Sequence, residues 1–137
     1  MDCRFDATPT RVGWDVSALD PVRPVAEARH RTRVWLYEQW KLGDLADTVE
    51  LVVSEMCTNA VRHGGGLAGL ELALVPSMLR VMVLDQAPEL APAVAAGGDD
   101  PWSEGGRGLR LVEAVSRRWG WHRTGFDEKQ VWCTFGV

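Results

Sequence analysis

Midway along the chain runs Val52-Val53-Ser54-Glu55-Met56-Cys57-Thr58-Asn59-Ala60-Val61-Arg62-His63-Gly64. Apolar residues recur there at three- and four-residue spacing. Val49, Val52, Val53, Met56 and Ala60 therefore form one buried stripe on a helix predicted over Leu45–His63. At about 100° per residue, Thr48, Glu55, Asn59 and Arg62 fall in a separate polar stripe, with His63 close beside it. Gly64-Gly65-Gly66 ends the helix. Glu55 and Asn59, four residues apart, meet on one surface. A carboxylate there can orient a water or accept a hydroxyl proton, and an adjacent amide oxygen can ligate Mg²⁺. Taken alone, Glu and Asn at this spacing are ordinary surface decoration.

Working toward the N-terminus, Asp44 or Asp47 can cap this helix after the break at Gly43-Asp44. Before it, Val25, Ala28, Thr32, Trp35, Leu36 and Trp40 mark another amphipathic helix that begins near Pro21–Pro24 and runs to about Trp40. Its other face carries Arg23, Arg29, His30, Arg31 and Arg33, either a solvated face or a docking patch for an acidic partner. Residues 1–20 are turn-rich, with a short strand expected around Arg11–Val16.

Toward the C-terminus, strands are predicted over Leu70–Val75 and Leu79–Leu84, joined at Pro76-Ser77-Met78. Leu70, Leu72 and Leu74 share one face and Glu71, Ala73 and Val75 the other, as in a sheet covered on one side. Asp85 stands where the second strand stops, an acceptor suited to the exocyclic amino group of adenine. Residues 86–106 are rich in Ala, Pro, Gly and Asp without periodicity, a length that marks a lid or binding loop. Gly105-Gly106-Arg107-Gly108 then opens a helix over Leu109–Arg118, where backbone N–H groups and the helix dipole favour a phosphate. A plain glycine-rich turn is the other reading. No strand directly precedes these glycines and no Lys-Ser/Thr follows them, so neither a Walker A loop nor a dinucleotide fingerprint fits. Trp119–Arg123 and Gln130–Phe135 close the chain as strands.

The 137 residues make one domain, with no internal repeat. With 46% hydrophobic and 25% charged residues, wholesale disorder is excluded. A net charge of −4 argues against a protein built mainly to hold nucleic acid or an anionic membrane. No apolar run approaches the roughly 18–20 residues that span a bilayer, and the first residues lack the blocks of a signal peptide. Cys3, Cys57 and Cys133 are odd in number and widely spaced, which argues against disulfides and zinc and fits a reducing cytoplasm. The seven Trp are scattered, as core filler or as a partner surface.

The order of these pieces carries more than any one of them. A helix with Glu-x-x-x-Asn, two strands ending in Asp, an unpatterned segment and glycines opening a helix together resemble the Bergerat-type ATP-binding fold. Histidine-kinase ATPase domains, the gyrase and Hsp90 ATPases and the bacterial anti-sigma-factor serine/threonine kinases share that fold. The run Val52–Gly64, with Gly106-Arg107-Gly108-Leu109-Arg110-Leu111-Val112, is most similar to the stand-alone anti-sigma type, over residues 20–137. The resemblance implies a two-layer α/β sandwich, a mixed and mainly antiparallel sheet with helices on one face. Residues 1–20 would be an extension and 86–106 an ATP lid.

It further implies ATP and Mg²⁺ as cofactors. Asn59 would ligate Mg²⁺, and Glu55 would be the general base. Asp85 would hold the adenine amino group, through a water shared with Thr134. Gly106, Arg107, Gly108 and Leu109 would wrap the phosphates, with Arg62 and His63 on the pocket rim. The implied partners are a sigma factor or an anti-anti-sigma antagonist protein, and a homodimer is among the assemblies such proteins form. Capture of a partner without turnover of ATP is the alternative. Asp85-Gln86-Ala87-Pro88 departs from the family at large, which has a glycine two residues after the Asp; Gln86-Ala87 would narrow the pocket.

Overall fold

Leucines at alternate positions of Leu67–Val75 (β2) turn one side of that strand into core, and Met78–Asp85 (β3) does the same with Leu79, Val81 and Val83. The two strands pair antiparallel, Leu70 opposite Val83 and Leu72 opposite Val81, about a two-residue turn in which Ser77 takes φ 64°. In this computed structural model, which describes residues 9–63, 65–87 and 104–137 (side chains of 104–108 excepted), three further strands complete the sheet. Arg11–Asp15 (β1), Arg118–Arg123 (β4) and Lys129–Gly136 (β5) give the order β1-β2-β3-β5-β4. All four pairings are antiparallel, so among the described residues the sheet is antiparallel throughout rather than mixed. The extension thus supplies an edge strand, where a short strand was expected.

Three helices among the described residues, Pro24–Glu38 (α1), Gly43–His63 (α2) and Glu104–Val115 (α3), form the second layer, with α2 between α1 and α3. The expected stripes of α1 and α2 face the core, whereas of the apolar residues expected to line the third helix, Leu109 and Val112 are buried, Leu111 is half-buried and Val115 is exposed. Ala28 and Leu36 from α1, Val49, Val52, Val53, Met56 and Ala60 from α2, and Leu109 and Val112 from α3 join Leu70, Leu72, Val81, Val83, Val131, Cys133 and Phe135 in one core. This is the two-layer α/β sandwich. Trp14, Trp35 and Trp40 pack edge to face at 6.3 and 5.9 Å against that core, so these three are filler. The basic side of α1 meets acids within the chain: Arg33 bonds Asp47 and Glu50, both at 2.8 Å, and Arg29 reaches Glu50. No helix among the described residues is long and apolar enough to cross a membrane.

Two helix starts differ from the sequence reading. α2 begins at Gly43, two residues early, so neither Asp44 nor Asp47 is its cap. Asp44 lies in the first turn, where the dipole favours an acid, and Asp47 faces Arg33 instead. α3 begins at Glu104, so Gly105–Gly108 lie inside its first turns rather than before it. An acidic residue suits a first turn, and glycine there costs only about 1 kcal/mol relative to alanine.

Two measurements test this core. Leu72→Ala should cost about 2–5 kcal/mol, seen as a lower denaturant midpoint at unchanged slope; a cost below about 1 kcal/mol would mean that the strand face is not buried. Burial pushes the Cys57 and Cys133 thiols up to about 12. Both should therefore resist alkylation in the native protein and react on unfolding, as mapped by mass spectrometry.

Candidate functional site

α2 is joined to the sheet by a tight crossing, and that crossing brings the candidate residues to one end of the molecule. The Gly66 amide donates to the Ala60 carbonyl at 3.2 Å, and the Gln86 amide donates to the Gly66 carbonyl at 3.1 Å. The last turns of α2 and the end of β3 are thus tied through one residue. Gly66 has φ +127°, a conformation that calls for glycine, while a Cβ there would meet only the movable end of the Gln86 side chain, Oε1 at 3.0 Å. Gly65, at φ +71°, lies against the Ala87 methyl and the Gln86 backbone. Gln86-Ala87 thus fills the space beside this turn.

On α2, Asn59 is 8% exposed, and its Oδ1 is buried with no hydrogen-bond partner among the described residues. A buried acceptor without a partner costs about 1–3 kcal/mol, so it invites a ligand. A hard amide oxygen one helical turn from a carboxylate suits Mg²⁺, which needs only one or two protein ligands beside waters and phosphates. Accordingly, no cluster of three His, Cys, Asp or Glu is required, and none exists among the described residues. Glu55 is half-buried, one turn earlier, with no hydrogen bond or ion pair to a described residue. Arg62 and His63 are exposed in the last turn, where cations complement the helix dipole.

Asp85 ends β3 with its side chain on the helix-covered face, 2% exposed. Its Oδ1 accepts from Lys129 Nζ at 2.9 Å and from the Ala87 amide at 3.0 Å, while Lys129 Nζ also donates to the Ala87 carbonyl at 3.0 Å. Burial pushes the Asp85 carboxyl above the usual carboxylate value; the Lys129 ammonium and the Ala87 amide pull the other way. Lys129 is the residue that sequence reasoning missed. It stands opposite Asp85 in the β3–β5 register, one position before the predicted start of the last strand. A lysine abutting an apolar run was the available signal.

Thr134 is not near Asp85. It pairs with Arg80, five positions along β5 from Lys129, or about 17 Å at strand rise. An odd separation also turns its side chain to the opposite sheet face, where Oγ1 is buried without a partner. No single water serves both residues. Of the glycine run, Gly106, Arg107 and Gly108 lie in the first turns of α3, which packs on α2, and the Arg107 side chain lies outside the described residues. With the helix starting at Glu104, the amides of Glu104, Gly105 and Gly106 lack intrahelical partners and remain suited to an anion, whereas those of Arg107 and Gly108 are taken up by the helix and do not wrap a phosphate as expected. Leu109 is fully buried in the core, so its side chain serves packing. Of the lid expected over 86–106, residues 88–103 lie outside the described residues.

A model of the histidine kinase-like ATPase domain matches residues 19–135. The chain belongs to this family. β1 lies ahead of the matched span, so this histidine kinase-like ATPase domain carries its edge strand in addition. No individually curated protein matches the chain. Membership accounts for ATP, with which Mg²⁺ is generally associated, and the unpartnered Asn59 oxygen suits that ion.

The Asp85–Lys129 pair yields a pH-dependent test. Because the folded-state value of Asp85 lies above the unfolded one, its contribution to stability is present at low pH and declines as pH rises through the folded value. Lys129→Met should cost about 3–5 kcal/mol at about pH 7, where it strands a buried carboxylate, and much less at about pH 4, where protonation removes the charge. Equal losses at both pH values, read by denaturant titration, would mean that lost packing rather than the ion pair is responsible.

Proposed function

We propose that the protein is a cytoplasmic, ATP-binding regulatory kinase of the anti-sigma type, which phosphorylates a Ser or Thr on a small antagonist protein and engages a sigma factor. The observation that supports this best is the buried, unpartnered Asn59 Oδ1 one helical turn from a Glu55 carboxylate with no partner among the described residues. Asn59 would hold Mg²⁺, which supplies charge neutralisation for the phosphates when bound. Glu55 takes the hydroxyl proton as the substrate oxygen bonds to the terminal phosphorus of ATP and ADP leaves. The α3 N-terminus, through the free amides of Glu104, Gly105 and Gly106, would receive the phosphates. Positioning and electrostatics supply most of the rate in such a transfer.

A second reading, a module that captures its partner without turning over ATP, draws on a different observation. The Asp85 carboxylate is already engaged by Lys129, and Ala87 packs where the family has glycine.

Mg-ATP should raise the melting temperature, and the rise should grow with nucleotide concentration. Glu55→Ala should abolish transfer of label to an antagonist protein while keeping most of that thermal shift. Asn59→Ala should lose the Mg²⁺-dependent part of the shift. Label transfer by Glu55→Ala would remove the assigned base, and a tight partner complex without label in the wild type would favour capture.

A further inference from the structure

We propose that Lys129 is a second base-reading residue, donating to ring nitrogen N1 of adenine beside the Asp85 carboxylate that takes the amino group. The inference rests on the ATP-binding reading and deepens its base end. Unspent hydrogen-bonding capacity in a buried cluster carries it. An ammonium has three donors and no acceptor. Lys129 Nζ spends one donor on Asp85 Oδ1 at 2.9 Å and one on the Ala87 carbonyl at 3.0 Å, and no described residue accepts the third. Asp85 Oδ1 also takes the Ala87 amide at 3.0 Å, while Oδ2 accepts from no described residue. Two side chains and one backbone unit therefore keep a donor on Lys129 and acceptor capacity on Asp85.

Placement gives this surplus a use. Lys129 and Asp85 are each 2% exposed, and a buried charged group short of partners costs more than a neutral one. The two residues stand opposite each other in the β3–β5 ladder, so both side chains leave the sheet on the helix-covered face. With two bonds of a tetrahedral ammonium fixed, the third N–H has a single direction, away from the Cε stem. Ala87 lies against Gly65, and the Gln86 amide bonds the Gly66 carbonyl. The cluster thus borders the turn that ends α2, the helix that carries Asn59. Adenine presents on one edge an amino donor and, next to it, N1 as an acceptor, which matches an acceptor beside a donor. Guanine reverses both polarities, so it would set an acceptor against Asp85 and a donor against Lys129. A carboxylate alone opposes guanine at one position; the pair opposes it at two.

Calorimetric titration of the wild type with Mg-ADP and with its 1-deaza analogue, in which C–H replaces N1, tests this. ADP should bind about ten- to a hundred-fold more tightly, the worth of one hydrogen bond to a charged group. Lys129→Met, which keeps an unbranched stem and removes the donors, should bind the two nucleotides alike. Equal binding of both by the wild type would mean that water takes the third donor, and the role of Lys129 falls while the ATP-binding reading stands. An unchanged preference in folded Lys129→Met has the same consequence. If the wild type binds neither nucleotide, both readings fall. A measurement on the wild type needs no variant to fold. The chain has two lysines, Lys41 and Lys129, so the Lys129 side-chain ¹⁵Nζ resonance is readily assigned. It should shift further on saturation with Mg-ADP than with the 1-deaza analogue, and equal shifts would overturn the proposal.

Discussion

Helix α2 has no freedom to rotate about its own axis, and most of the site follows from that. Val49, Val52, Val53, Met56, Cys57 and Ala60 are all buried, so the helix presents one fixed side to the sheet and to its neighbouring helices. Each such side chain returned to water would cost about 1.5–3 kcal/mol, far more than any polar contact α2 makes could recover. Glu55 and Asn59 are carried on the flank that this orientation defines. Their half-buried and buried positions are consequences of apolar packing. The crossing through Gly66 then fixes the end of β3 against the same turns of the helix.

The two ends of the site are left in opposite states. At the helix end an amide oxygen is buried with no partner among the described residues, a cost to the fold. At the strand end a buried carboxylate is engaged through one of its oxygens by an ammonium and an amide. Stability does not require a buried ion pair of this kind, because well-packed apolar residues of similar volume serve as well or better. Removing only one partner is what the fold tolerates poorly.

How much of this could be read from the chain depended on whether the signal was local. Helical periodicity placed the α2 stripe, and the flank with Glu55 and Asn59 followed, because a helix face is fixed by neighbours three and four residues away. Alternation placed β2 and β3 for the same reason. The partner of Asp85 was a different matter. It is set by the pairing of β3 with a strand more than forty residues later, and a strand's register changes face with every single-residue slip. Starting the last strand at Gln130 concealed Lys129, and choosing Thr134 on chemical type put the second base contact on the wrong sheet face. The start of α3 was misread because glycine signals a turn, whereas the first turn of a helix accepts it at small cost.

Magnitude decides how far the strand end can weigh against the helix end. A base-reading hydrogen bond to a charged acceptor is worth about 1.5–3 kcal/mol, or roughly one to two orders of magnitude in affinity. A triphosphate with its metal brings several charges to amides and a ligand oxygen in a partly water-excluded site, a larger sum. Loss of the base contact would therefore weaken nucleotide binding without abolishing it.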